Sequence, residues 1–145
     1  MVSTLMHIIY GTMVALTLKL NLPLFLIFTN LPDLDGVLDV LNNKLKYHAY
    51  LFHNFFFYVL IIIIGSTFFS FKLVFLALAL HFFLDFFDGK KKYFFPLSHR
   101  RFGYELLKKK KDLSRLWLFL VYEQNIYFTI ISLIIFFIFL LVYFF

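Results

Sequence analysis

Polar positions divide this chain into apolar stretches of unequal length. Residues 1–18 carry no charge apart from His7 and end at Lys19. Asn21 and Pro23 mark a turn, and a second apolar piece, Leu22 to Leu31, runs into Pro32-Asp33-Leu34-Asp35-Gly36. Both pieces are too short for two ordinary membrane spans, so the pattern predicts a helical hairpin. From Val37 to Lys46, apolar Val37, Leu38, Leu41 and Leu45 recur at helical spacing among Asp39, Asn42, Asn43, Lys44 and Lys46, as in a surface-lying amphipathic helix. Ala49 to Phe87 is nearly all apolar and long enough for two spans, with a break expected at Gly65-Ser66-Thr67, near Ser70 and Lys72. A basic stretch, Gly89 to Gln124, holds Leu113, Leu116, Trp117 and Leu120 at interfacial helical spacing. Ile126 to Phe145 then has the length of one further span.

Composition sharpens this picture. Hydrophobic residues make up 63% of the 145, Phe alone supplies 24, and no Cys is present; the mean hydropathy is +0.89. One domain of this size cannot hide so much apolar surface within itself, so lipid is the expected solvent of its exterior. The absence of Cys excludes disulfide scaffolds and thiolate metal sites. The net charge of +6 is not a nucleic-acid signal, because ten of the 14 Lys/Arg lie between Gly89 and Gln124. That asymmetry predicts a multi-pass protein of the cytoplasmic membrane with the 89–124 loop, and the 32–48 loop, on the cytoplasmic side. Met1-Val2-Ser3-Thr4 lacks a basic signal-peptide start, so the first apolar segment is expected to be retained. The Lys108–Lys111 block reads as a topology determinant and anionic-lipid contact.

Against this background, ionisable groups in apolar runs stand out. In a helix His81, Asp85 and Asp88 fall at i, i+4 and i+7, on one face. Counting from the outer turns gives a second pattern. Lys19 back to His7, Asn21 forward to Asp33 and Gly65 back to His53 are twelve residues each, and Phe71 forward to His81 is ten. At helical rise these are depths of roughly 15–18 Å. Four helices therefore bring His or Asp to one level, and the converging set is His7, Asp33, Asp35, His48, His53, His81 and Asp85. Mixed imidazole and carboxylate donors suit Zn²⁺, with Mn²⁺ or Fe²⁺ as alternatives, in one or two ions. A bound divalent ion yields hydroxide at neutral pH, and Arg100 and Arg101 are placed to grip an anionic headgroup. The bland alternatives are helix capping by Asp33 and Asp35, a solvated Asp88 at a helix end, and His99 beside the loop arginines.

Leu31-Pro32-Asp33-Leu34-Asp35, His48-x4-His53, His81-x3-Asp85 and Phe95-Pro96-Leu97-Ser98-His99-Arg100-Arg101-Phe102-Gly103 occur in order. Together they resemble the LexA-regulated, inner-membrane metal-dependent hydrolase family, over about His7 to Gly103. The family's metal site is in turn distantly similar to zinc-dependent phospholipase C and P1-type nucleases. The resemblance implies a metal site built from Asp33, Asp35, His53, His81 and Asp85, joined by His7 and His48. Where the family pattern is His-Arg-Gly-x-Thr-His-Ser, this chain has His48-Ala49-Tyr50-Leu51-Phe52-His53-Asn54. Both histidines are kept and the intervening polar residues are not, so metal binding has more support than the family's full activity.

The expected fold is therefore all-α: a helical hairpin, two central spans and one C-terminal span in a single membrane domain. Residues 1–103 form the hydrolase-like core and 104–145 a basic interfacial segment with a transmembrane helix. The expected function is hydrolysis of a phosphoester or similar bond in a lipid-like substrate at the cytoplasmic leaflet. His7, Asp33, His53, His81 and Asp85 are expected to ligate metal, Asp35 and His48 to serve as general base or ligand-orienting groups, and Arg100 and Arg101 to meet the headgroup. Membrane lipid is the expected partner. The alternatives are a metal or proton transporter, weakened by the lack of carboxylates near the outer turns, and a non-catalytic protein that uses metal to pin its helices.

Overall fold

The computed structural model describes residues 4–34, 52–86, 93–94, 97–98, 100 and 126–145, and among these all regular structure is helical. Helix α1 spans Thr4–Thr17 and α2 spans Leu22–Asn30. Between them the chain reverses at Lys19, which takes a left-handed φ of 52°. Leu20 N–H then reaches back to the Ala15 carbonyl at 2.8 Å, a helix-ending bond that consumes one of the free carbonyls of α1. Asn21 caps α2 by accepting Leu24 N–H at 3.1 Å, and Pro23 sits in the first turn, where no N–H is needed. The two helices lie close at Gly11, where a Cβ would stand 2.9 Å from Leu26 Cδ2. A 3-10 turn, Leu31–Asp33, ends α2 at Pro32.

A second hairpin consists of α3, Phe55–Phe68, and α4, Phe71–Phe86. Asn54 starts α3 by accepting Phe57 N–H at 2.9 Å, and the Tyr93 carbonyl accepts Phe55 N–H at 2.7 Å. The turn falls at Phe69 and Ser70, not at the expected Gly65-Ser66-Thr67. Those three residues stay helical because Thr67 satisfies its hydroxyl on the Ile64 carbonyl at 2.6 Å, and Gly65 is a packing site. A Cβ there would stand 3.1 Å and 3.2 Å from the Val74 methyls and 3.3 Å from Phe28.

The hairpins pack through α2 on α4 and α1 on α4, around Ala15, Phe25, Phe28, Tyr58, Leu73, Val74, Ala77 and Leu78. The last helix, α5 (Ile126–Phe144), lies on α1, where Leu133 and Phe136 pack against Met6 and Ile9. Tyr10 and buried Ser132 share a hydrogen bond of 3.0 Å, and the Tyr143 hydroxyl donates to the Leu16 carbonyl at 3.2 Å. A double-mutant cycle of Tyr10→Phe and Ser132→Ala should return a coupling of about 1 kcal/mol, the net worth of a typical hydrogen bond. Additive losses in reversible unfolding would mean that α5 is held by apolar packing alone.

The polarity of this bundle is inverted. Its buried set includes His7, Thr29, Asp33, His53, Asn54, His81, Asp85 and Ser132, while Phe56, Leu60, Ile63, Phe71, Phe83, Ile134 and Phe137 are exposed. Yet among the described residues no helix is long and apolar enough to cross a membrane. In α3 and α4 the 14 and 16 residues reach only about 21 and 24 Å, against a hydrocarbon core of about 30 Å. The apolar run from Ala49 thus folds as a second short hairpin: Asn54 opens α3 late, and the Phe69–Ser70 turn divides what remains.

Candidate metal centre

His7 comes from α1, Asp33 from the 3-10 turn after α2, His53 from the segment just before the Asn54 cap, and His81 and Asp85 from successive turns of α4. All five meet at one end of the bundle. His7, His53, His81 and Asp85 have no exposed surface and Asp33 is 3% exposed. Isolated buried charges of this kind are prohibitive in an apolar interior, so the groups must satisfy one another or a shared cation.

Asp33 and Asp85 each divide their oxygens between two sides. Asp33 Oδ1 faces His53 Nε2 at 3.6 Å and His81 Nε2 at 4.0 Å. Asp85 Oδ2 lies 3.1 Å from both His53 Nε2 and His81 Nε2. On the other side, Asp33 Oδ2 faces His7 Nδ1 at 3.1 Å, and Asp85 Oδ1 faces His7 Nε2 at 3.9 Å. The Thr4 hydroxyl donates to Asp33 Oδ2 at 3.2 Å. Burial alone would raise the Asp33 pKa, but the adjacent His53 and His7 imidazoles outweigh it and hold the carboxyl well below the usual carboxylate range.

His81 is oriented by the backbone. Its Nδ1 lies 2.7 Å from the Thr29 carbonyl, an acceptor only, so Nδ1 carries the proton and Nε2 presents its lone pair to the cluster. This is the arrangement by which metal-ligating imidazoles are fixed. Asp33 Oδ1 and His81 Nε2 are buried without hydrogen-bond geometry to any group, although charged or polar neighbours stand close. Donor atoms that converge without pairing suit a shared cation. Two trios, His7–Asp33–His81 and His53–His81–Asp85, each bring one ligand atom per residue within 4.8 Å of the others.

The structure thus brings together His7, Asp33, His53, His81 and Asp85. Asp35, His48 and Arg101, with Asp88 and His99, lie outside the described residues, as do the 37–46 helix and the interfacial segment around Trp117. Arg100 is exposed and its N–H donates to the Ser98 hydroxyl at 3.2 Å. Three contributors were not foreseen. Thr4 and the Thr29 carbonyl hold donors in place, and Tyr58, buried one turn beyond Asn54, sets its ring 6.3 Å from that of His81. Thr4→Val should weaken metal affinity about 10-fold, at the low end for lost outer partners, while Thr4→Ser retains it, as read by competition with a chromogenic chelator.

No family model, no curated protein and no solved structure matches this chain.

Proposed function

We propose that this chain is a membrane-embedded metal-dependent hydrolase acting on a phosphoester or similar bond of a lipid-like substrate. The observation that carries the reading is the pairing of a buried His/Asp cluster with a bundle whose outer faces are phenylalanine, isoleucine and leucine. Lipid is the solvent that such faces fit, and hairpins shorter than a bilayer sit in it by local thinning or partial insertion. The donor set suits Zn²⁺, with Mn²⁺ or Fe²⁺ as alternatives. Asp33, His53, His81 and Asp85, with His7 beside them, are the residues that hold it.

When bound, the ion supplies Lewis acidity and a hydroxide nucleophile near neutral pH. The protein's own part is to fix donors: the Thr29 carbonyl sets the His81 tautomer, and Thr4 holds the outer oxygen of Asp33. Asp35 and His48 remain the candidates for the general base, and Arg100 and Arg101 for the headgroup. Transport fits less well, because the core between the cluster and the Phe69–Ser70 turn is filled by Phe25, Phe28, Val74, Ala77 and Leu78.

A second reading, metal as a helix-pinning group without catalysis, is favoured by the complete burial of the donors, since structural sites are closed and catalytic ones keep an open position. Detergent-purified protein loaded with Zn²⁺ or Mn²⁺ and offered a panel of lipid phosphoesters separates the readings. Metal-dependent turnover in wild type, lost together with the metal in Asp33→Asn, supports hydrolysis. Stoichiometric metal with no turnover, and no water exchanging at bound Mn²⁺, supports the pinning role. Absence from the membrane fraction after alkaline extraction removes the lipid-substrate reading.

A further inference from the structure

The two candidate trios share His81, and this limits what the centre can hold. A neutral imidazole has one lone pair, and His81 Nδ1 is committed to the Thr29 carbonyl. Only Nε2 is available, so the trios cannot each own an ion through His81.

Ring geometry decides between them. Ligation places the ion in the plane of the ring, along the nitrogen lone pair. The His7 and His81 rings lie face over face, with centroids 4.1 Å apart and an interplanar angle of 16°. Planes so nearly parallel converge only on the order of 10 Å away, far beyond a Zn–N bond of about 2 Å. His7 and His81 therefore do not ligate a common ion. The His53 and His81 rings differ: they tilt by 49° with centroids 5.2 Å apart. An ion about 2.0–2.1 Å from each nitrogen lies about 3.2 Å from each centroid, so this separation subtends about 110°, the tetrahedral angle.

The carboxylates complete the same figure. Asp33 Oδ1 and Asp85 Oδ2 stand 3.1 to 4.0 Å from His53 Nε2 and His81 Nε2. The edges of a tetrahedron with ligands at 2.0–2.2 Å are about 3.3–3.6 Å. His7 faces the remaining oxygens, Asp33 Oδ2 at 3.1 Å from Nδ1 and Asp85 Oδ1 at 3.9 Å from Nε2.

Resting on the metal-site reading above and not on hydrolysis, since four protein donors leave no open position, we infer that the described residues form one mononuclear centre, ligated by Asp33 Oδ1, His53 Nε2, His81 Nε2 and Asp85 Oδ2. In this centre His7 is not a ligand but a positioning residue that spans the outer oxygens of both carboxylates. This replaces the ligand role that the sequence suggested for His7. It also gives His7 a function that its position on α1 explains: it stands between Asp33 at the end of the first hairpin and Asp85 on the second.

Zinc K-edge X-ray absorption on detergent-purified protein counts the imidazoles directly. The expected result is one equivalent of Zn²⁺ and two imidazoles in wild type, with two still present in His7→Gln and His7→Phe. Both variants should bind Zn²⁺ about 10- to 100-fold more weakly than wild type, as outer partners do. Co²⁺-loaded wild type and His7 variants should share the strong visible bands of tetrahedral cobalt. Three imidazoles in wild type, falling to two without His7, would overturn the assignment while leaving a metal site in place; so would two equivalents of Zn²⁺. Wild-type protein that takes up no Zn²⁺ at all would overturn the metal-site reading itself. Should the His7 variants fail to fold, the imidazole count in wild type decides alone.

Discussion

On the metal-site proposal, replacing His81 and Asp85 together by alanine is expected to abolish metal binding by the purified protein. Wild type is expected to hold one equivalent by elemental analysis, and the double variant less than about a tenth. Losing two donors weakens binding beyond the roughly 100-fold that follows loss of an outer partner alone. The pair is chosen because Asp85 Oδ2 sits 3.1 Å from two imidazoles and His81 is the only donor found in both candidate trios. Removing both also avoids leaving one new unpaired charge in their place, the commonest way for a single buried substitution to unfold a protein. Stability gives an independent reading. An ion present at 100 times its Kd contributes about 2.7 kcal/mol to the folded state. A chelator should therefore lower the melting temperature of wild type by several degrees and leave the double variant unmoved. Equal chelator responses in the two proteins would place the ion elsewhere.

The second large effect is expected at a residue with no polar chemistry. Gly65→Leu forces a branched side chain into the space between Val74 and Phe28, where even a Cβ would stand 3.1 to 3.3 Å from its neighbours. Overpacking of this kind costs about 1–3 kcal/mol. Because Val74 and Phe28 belong to the core joining α2 to α4, the strain also bears on the donors that those helices carry. Metal affinity should fall although Gly65 lies twelve residues from His53, roughly 18 Å along α3. Ile64→Leu, at a half-exposed neighbour, is the control and should stay within about 0.5 kcal/mol of wild type in unfolding assays. Unchanged stability in Gly65→Leu would show that the α3–α4 contact is loose.

The ionisable residues were legible because their surroundings made them costly. His7, His53, His81 and Asp85 interrupt runs of Phe, Ile and Leu, and helical rise carried them to one depth without a three-dimensional structure. The first hairpin was equally plain, since Lys19, Asn21 and Pro23 leave the chain few alternatives. The second hairpin was misjudged at its turn. Gly65 looked like a breaker, but glycine in a helix serves close packing as readily as a turn, and nothing local separates the two uses. Its reach was also overstated, because Asn54 was weighed as a neighbour of His53 and not as the cap that starts α3. Thr4 and the Thr29 carbonyl could hardly have been foreseen. A hydroxyl in an apolar helix usually bonds to its own backbone, as Thr12 and Thr17 do, and a carbonyl leaves no mark on a sequence.

The donors of the centre end at Asp85, well before α5 begins at Ile126. During synthesis every described donor has therefore left the ribosome before the last helix exists. Closing a ring from His7 to Asp85 costs chain entropy that grows only slowly with length, so an ion captured then would knit the two hairpins into a unit. The last helix would find α1 already fixed, with Tyr10 waiting for Ser132. On the metal-site proposal, metal supplied during translation would then bear on folding more than metal added afterwards.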